Sequence, residues 1–198
     1  MRRKKVDTTM SFVTEAARTH DPDPAHNKMV TGLALALFNG LRPLHGYGPA
    51  ERRLLEIASR LHDIGWSQVV SGKHHKMSAR MILDLDIPGL DKRDRLIVAL
   101  IARYHTKAVP DSSRHRRFAS LSSERREMVE WLAGMLRVAD ALDSRHSEAI
   151  KRVTCEISDE VVTIRLKAAG GCRAEVEEAR GKDALLIRKV ARRVRYRC

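Results

Sequence analysis

Apolar residues recur with a helical period over most of the chain, and this pattern constrains the fold more than any other feature. Leu33 and Leu37 lie three and seven residues after Val30, a spacing typical of a helix with one buried face. This helix is expected to begin at 24 and to stop near Gly40 and Pro43. Similar patterns predict further helices over 11–19, 49–65, 78–85, 92–105 and 124–143, the last being the longest, with a loop at 110–123.

The pattern changes after residue 150. Residues 153–157 and 161–166 alternate with period two around a polar turn at 158–160, which predicts a β-hairpin. Residues 182–194 have a helical pattern again. The sequence therefore predicts a mainly α fold, with a helical domain over 1–149 and a small α+β tail, a hairpin plus a helix, over 150–198.

Cysteine usage and hydropathy exclude several classes of protein. The three cysteines, Cys155, Cys172 and Cys198, are isolated and odd in number, so neither a disulfide framework nor a thiolate zinc site is expected. The longest apolar run, at 33–38, is far shorter than the roughly 20 residues of a membrane span. We expect a soluble, cytoplasmic protein that does not enter a membrane.

The charge of the chain is strongly positive. Lys and Arg number 38 against 25 Asp and Glu, for a net charge of +13. Cations concentrate at 2–5, at 114–117 and at 188–197, where six cations occur without an acid. Such a surplus favours anionic partners, namely phosphorylated metabolites, polyphosphate or nucleic acid. The alternative is a basic solvated surface without a specific partner.

Ionisable residues fall on the inward faces or at the ends of several predicted helices. Asp140, for example, lies four residues after Leu136, on the apolar stripe of its helix. A carboxylate that faces a core is costly unless it is paired or bound to a metal. We therefore expect imidazoles and carboxylates from several helices to meet at one centre. The residues concerned are His26, His62, Asp63, His105 and Asp140.

Each of these residues also has a purely structural interpretation. A lone core histidine is more often a hydrogen-bonded packing residue than a ligand, Asp140 can pair with Arg137 or Arg145, and Asp63 can cap the following turn. The set as a whole favours a metal site. Two imidazoles and two carboxylates form a mixed N/O shell that suits Mn, Fe, Co, Ni or Zn.

The order of this set and its flanking residues resemble the HD-domain metal-dependent phosphohydrolase superfamily. More narrowly, the sequence is similar to the carboxy-terminal region of the exopolyphosphatase/guanosine pentaphosphate phosphatase family, from about residue 11 to the end of the chain. The resemblance implies an HD-domain helical bundle followed by a small α+β subdomain. The segments that carry it are 23–26 (DPAH), 35–38 (LALF), 61–65 (LHDIG), 74–79 (HHKMSA), 101–105 (IARYH) and 136–143 (LRVADALD).

The resemblance also implies roles for individual residues. It implies one or two divalent transition-metal ions, with Asp63 as a bridge between them and Asp63 and His105 as catalytic residues. The implied ligands are His26, His62, Asp63 and Asp140, with His75 and His105 as further ligands or phosphate contacts. The cations that could hold the substrate phosphate are Lys76 and Arg137, with Arg103 and Lys107 as further candidates; all four could equally be ordinary surface charges.

Two departures from the family pattern limit what the resemblance implies. Longer members carry two amino-terminal domains of the actin-like ATPase fold, which by resemblance hold the polyphosphate-hydrolysing site. This sequence corresponds to the region after those domains, so exopolyphosphatase activity is not implied. Met77 stands where the family has a histidine. If that histidine helps to bind a second metal, this protein is expected to hold only one ion, or none tightly.

Three functions remain as hypotheses. The first is a metal-dependent phosphohydrolase of the HD type that acts on a nucleotide or another small phosphorylated compound. The alternative is a non-catalytic regulatory module that binds polyphosphate, nucleotide or RNA through its basic surface, including the basic C-terminal tail. The third is a structural module that forms a homodimer through the small C-terminal part. No residue selects a substrate among those of the HD proteins.

Overall fold

Helices occupy most of the chain in the computed structural model, which describes residues 7–70 and 72–198. The basic cluster at 2–5 lies outside this range. The helices are α1 (Thr8–His20), α2 (Pro24–His45), α3 (Pro49–Leu61), α4 (His74–Asp84), α5 (Lys92–Arg103), α6 (Arg116–Ala119), α7 (Ser123–Ala141), α8 (Arg173–Lys182) and α9 (Ala184–Val190), with a 3-10 turn at Ile64–Gln68. The strands are β1 (Ile150–Ile157), β2 (Val161–Ala168) and β3 (Arg193–Arg197).

The mainly α fold with a small α+β C-terminal part is confirmed, but helix α2 differs from its prediction. It continues through Gly40 and Pro43 to His45, and its 22 residues exceed the 19 of α7. Gly40 is a site of close packing, because a Cβ there would lie 2.8 Å from the Sγ of Cys155 in β1. Pro43 lies in the last turn, so the hydrogen bond that proline cannot donate is lost only at the end of the helix. Gly46, with a positive φ of 68°, ends the helix.

The segment between α3 and α4 also differs from its prediction. Helix α3 ends at Leu61 instead of 65, the next residues form the 3-10 turn, and α4 begins at His74 instead of 78. The predicted loop at 110–123 contains the short helix α6.

The predicted hairpin is confirmed, whereas the predicted helix over 182–194 is wrong at its end. Strands β1 and β2 pair antiparallel, and β3 adds to β2 in parallel, so the sheet order is β1-β2-β3. Val194 and Tyr196 alternate with exposed arginines in β3, which is the period of a strand.

Helix α7 forms the centre of the fold. It packs against α2, α5, α8 and α9, and its central residues, among them Leu132 and Leu136, are fully buried. Gly134 allows α9 to approach, because a Cβ there would lie 3.2 Å from the backbone nitrogen of Leu186. The buried side chains of both predicted parts form one cluster. The predicted boundary between 149 and 150 stays a prediction.

The sequence did not indicate a disulfide framework, but the structure contains a disulfide. Cys172 and Cys198 are bonded; their Cα atoms are 6.1 Å apart, and the two residues are separated by 26 in sequence number. The bond joins the start of α8 to the residue after β3. Folding brings together two cysteines that no local pattern connects. Cys155 is a half-buried thiol.

Within the described residues, every helix is too short or too polar to cross a membrane.

Reduction of the disulfide is expected to lower the free energy of unfolding by about 3 kcal/mol, because the unfolded chain loses a constraint on a loop of this length. Urea unfolding followed by circular dichroism, with and without a phosphine reductant, measures the difference. A Cys172→Ser/Cys198→Ser variant is the control, since reductant should leave its midpoint unchanged. An equal midpoint for the oxidised and reduced wild-type chains would contradict the prediction.

Candidate metal centre

The ends of five helices converge around one cavity of about 520 Å³. Proline at the start of α2 and a hydrogen bond from the His26 N–H to Asp23 define its first turn, which places the His26 ring at the cavity. The other ligand-type side chains come from the ends of α3, α5 and α7 and the start of α4. The six residues that meet here are His26, His62, Asp63, His74, His105 and Asp140.

Three of them form a first group, His26, His62 and Asp140. The Oδ1 atom of Asp140 lies 3.6 Å from Nε2 of His26 and 3.8 Å from Nε2 of His62. All three side chains are buried. The ring nitrogens and the carboxylate oxygen therefore surround a common point.

Asp63, His74 and His105 form a second group. Oδ1 of Asp63 lies 3.4 Å from Nε2 of His74 and 3.6 Å from Nε2 of His105. Its other oxygen, Oδ2, lies 3.6 Å from Nε2 of His62. One carboxylate thus separates the two groups and presents one oxygen to each.

Backbone carbonyls fix the orientation of two of the rings. The Nδ1 of His62 lies 2.7 Å from the carbonyl oxygen of Ser59, and the Nδ1 of His105 lies 2.6 Å from that of Ala102. A carbonyl can only accept, so each Nδ1 carries a proton. Each Nε2 faces the carboxylates of the site and is the ring atom left to ligate a metal.

A carboxylate holds the third ring. Nδ1 of His26 lies 2.9 Å from Oδ2 of Asp143, which is itself almost fully buried. Burial alone would lower the pKa of His26, but the contacts with Asp140 and Asp143 raise the pKa to about 10. Asp143 lies in the turn that follows α7, two residues after its last residue, Ala141, and sequence reasoning did not assign it to the site.

The donor set fits a divalent cation. Nε2 of His62 and Oδ1 of Asp63 are buried and have no hydrogen-bond partner among the described residues. Such orphaned atoms are costly. One belongs to each group, and a cation in each group would satisfy them. Burial lowers the pKa of His105 to about 4, so this ring is neutral at pH 7, the form that binds a metal.

A lysine from the C-terminal part completes the cavity. The Nζ of Lys182, at the end of α8, lies 3.0 Å from Oδ2 of Asp140. Burial opposes ionisation of Asp140, but the contact with His26 and the charge of Lys182 hold its pKa below the usual range. Asp140 is therefore ionised at neutral pH. Lys182 is another site residue that sequence reasoning missed.

Of the two adjacent histidines at 74 and 75, His74 lies in the site. His74 belongs to the second group and stacks on Trp66, with ring centroids 4.1 Å apart. His75, the residue singled out from the sequence, is buried but belongs to neither group. The centroids of its ring and that of His105 are 6.4 Å apart, so it packs behind the site.

The four cations singled out for phosphate binding occupy different places. Lys76 and Arg103 line a separate cavity. Lys107 is exposed. Burial is the main cause that lowers the pKa of His74, and the positive charge of Lys107 lowers this pKa further. None of the three lies within ion-pair distance of a carboxylate in the described part of the chain.

Arg137 binds backbone carbonyls. Its Nη1 donates to the carbonyl of Tyr104 at 2.9 Å, and its Nε donates to that of Lys182 at 3.3 Å. The guanidinium is mostly buried and joins the segment that carries His105 to the segment that carries Lys182. Arg137 therefore stabilises the relative position of these two segments beside the site.

A glycine fixes the path of the chain after Asp63. A Cβ at Gly65 would lie 2.3 Å from the carbonyl oxygen of His74 and 2.5 Å from the nitrogen of Ser78. The N–H of Gly65 also donates to Oγ of Ser78 at 2.9 Å. The 3-10 turn and the start of α4 therefore touch through backbone atoms, which sets the distance between Asp63 and His74.

Gly65→Ala is expected to lower the free energy of unfolding by about 1–3 kcal/mol and to reduce metal content, because the new methyl group forces the turn away from α4. Gly32→Ala is the matched control. That position has nothing within 4 Å of a new Cβ, and alanine in a helix interior stabilises by about 1 kcal/mol relative to glycine. Urea unfolding in chelator and elemental analysis measure the two effects; equal behaviour of the two variants would contradict the prediction.

Comparison with known families identifies the family of the chain. Residues 9–177 match the family model described as Ppx/GppA phosphatase, domain III. The matched range contains all six residues of the two groups, together with Asp143, and it covers most of the chain. The chain therefore belongs to the Ppx/GppA phosphatase family and corresponds to its domain III.

Proposed function

We propose that the chain is a metal-dependent phosphohydrolase of the HD type that acts on a nucleotide or another small phosphorylated compound. The observation that carries the proposal is the pair of His/Asp groups that share Asp63 at the floor of the cavity. Two ligand groups bridged by a carboxylate are typical of sites that hold two ions for phosphoester hydrolysis.

The ligand assignment follows from the two groups. His26, His62 and Asp140 would hold one ion, and Asp63 with His74 and His105 would hold the second. Bound ions act as Lewis acids that lower the pKa of water and neutralise charge on a phosphoryl group. The mixed N/O set suits Mn, Fe, Co, Ni or Zn.

The protein side chains then have distinct tasks in the reaction. Burial opposes ionisation of Asp63, but His62 and His105 lower its pKa, so its carboxylate can accept a hydrogen bond from the attacking water and orient it. Lys182 lines the same cavity and can balance the charge of a bound phosphate. Hydrolysis forms the bond from water oxygen to phosphorus, breaks the ester P–O bond and transfers a proton to the leaving oxygen.

An exposed aromatic ring favours a substrate with a planar group. The ring of Trp66 lines the cavity, stacks on His74 and is 37% exposed. A nucleobase can stack on such a surface. This feature supports a nucleotide over a purely aliphatic phosphate at this site.

Elemental analysis of chain purified without chelator tests the proposal. We expect about one or two equivalents of transition metal, lost in a His62→Ala/Asp63→Asn variant because this change removes ligands of both groups. Hydrolysis of a panel of nucleotides should fall at least about 100-fold in the same variant. The exposed residue Asp84 supplies a control, Asp84→Asn, which should match wild type. Hydrolysis that persists in the metal-free variant would contradict the proposal.

A second function is favoured by the outer face of the C-terminal sheet. Six exposed cations lie on this basic sheet face: Arg152, Arg165, Lys167, Arg193, Arg195 and Arg197. Arg152 lies directly opposite Lys167, and Arg165 opposite Arg197. Like charges in such pairs destabilise a sheet. We propose that the face binds a polyanion such as RNA through its phosphates.

The helical part of the basic C-terminal run contributes less to this surface. Arg188 lies 3.1 Å from Glu130, and Lys189 lies 3.2 Å from Glu127. On the sheet face itself, Glu156 pairs with Arg165 and Glu160 pairs with Arg193. The cations of the sheet face that form no ion pair among the described residues are therefore Arg152, Lys167, Arg195 and Arg197.

Fluorescence anisotropy with a labelled single-stranded RNA tests the second function. Arg165→Gln/Lys167→Gln/Arg197→Gln is expected to weaken binding at least about ten-fold and to reduce the slope of log K against log salt by about 2, since three phosphate contacts are lost. Arg18→Gln/Arg80→Gln/Arg173→Gln removes the same charge elsewhere and should retain more affinity. Equal losses in both variants would indicate only a general attraction, and binding should survive the His62→Ala/Asp63→Asn change.

A further inference from the structure

A second cavity, of about 420 Å³, lies between α4, α5 and α6. It shares no lining residue with the metal centre. We call it the basic cavity, because its rim carries the cationic side chains Lys76, Arg103, Arg114, Arg116 and Arg117, together with His115. Its volume lies within the range of about 300–1,000 Å³ that is typical of small-molecule sites.

The rim cations are not neutralised by neighbouring acids. None of these five side chains lies within 4.0 Å of a carboxylate among the described residues, and no acid lines the cavity. Asp111 is close enough to raise the pKa of His115, against the larger effect of burial, but its carboxylate accepts hydrogen bonds from Ser113. Converging like charges repel one another, and an anion in the cavity would relieve this repulsion.

Arg103 supplies an unsatisfied donor at the same place. It is half-buried at the end of α5, and its Nη1 is shielded from solvent without a hydrogen-bond partner in the described part of the chain. The same holds for Nδ1 of His115. A guanidinium N–H without an acceptor is costly to bury, and a phosphate oxygen is the acceptor that its planar fork matches best.

Most of the apolar lining of the cavity is aliphatic, and the almost fully buried Tyr104 also lines the cavity. The aliphatic part, the floor of the cavity, is formed by side chains of α4 and α5: Ala79, Leu83, Leu96, Ala99 and Leu100. These side chains offer no hydrogen-bonding atom. A nucleobase on this floor would leave its polar edge unsatisfied, whereas a hydrocarbon group would gain from the removal of apolar surface from water.

We propose that the basic cavity binds an aliphatic organic phosphate, with its phosphate on Arg103 and the rim cations and its hydrocarbon group on the leucine floor. The site is independent of the metal centre. It gives the chain a second ligand, different in chemistry from the nucleotide favoured by Trp66.

Isothermal titration calorimetry of the full chain with hexylphosphonate tests this site. The phosphonate cannot be hydrolysed at a phosphoester bond, and chelator in the buffer removes ions from the metal centre. We expect binding at least about ten-fold tighter than that of inorganic phosphate or of hexan-1-ol, because only the combined ligand uses both the rim and the floor.

Two variants separate the basic cavity from other sites. Arg103→Gln removes the buried charge and is expected to weaken hexylphosphonate binding about ten-fold or more, whereas Arg18→Gln, on the exposed face of α1, should not change it. Leu96→Ser should weaken hexylphosphonate more than inorganic phosphate. Absence of binding, equal affinity for inorganic phosphate, or affinity that is unchanged by Arg103→Gln would each overturn the proposal.

Discussion

The burial of two carboxylates at the junction of the helix ends is the constraint on which the rest of the structure depends. Asp63 and Asp140 lie among helices whose inward residues are mainly apolar. An ionised carboxylate in such a place needs compensating positive charge. The histidines and Lys182 provide polar contacts around it, and the orphaned atoms of His62 and Asp63 show that these contacts leave room for a cation.

The sequence predicted the part of the site that depends on helical phase. His26 and Asp140 lie in register with long apolar stripes, so their inward direction followed from periodicity alone. Periodicity did not show which of His74 and His75 faces the site. Helix α4 was expected to begin at 78, and without a known helix start two adjacent residues cannot be assigned to faces. Lys182 could not be assigned to the site from the sequence, because the residue that it contacts, Asp140, lies 42 positions away in the chain.

The C-terminal part shows the same limit. The hairpin was predictable because its strands are neighbours in sequence, and alternation with a polar turn defines such a unit. Strand β3 pairs in parallel with β2 after two intervening helices. The disulfide between Cys172 and Cys198 likewise depends on that long-range arrangement. Local patterns contain no information on which distant segment will pair.

The contacts of Arg137 require an arginine side chain at this position and not simply a positive charge. Its guanidinium reaches carbonyls that belong to separate segments, those of Tyr104 and Lys182. A lysine at this position would keep the charge, but a single ammonium lacks the rigid fork of donors that spans both. Substitution at 137 is therefore constrained by shape more than by charge. Among homologous chains that keep this arrangement, arginine should persist at 137 even where neighbouring surface cations exchange freely.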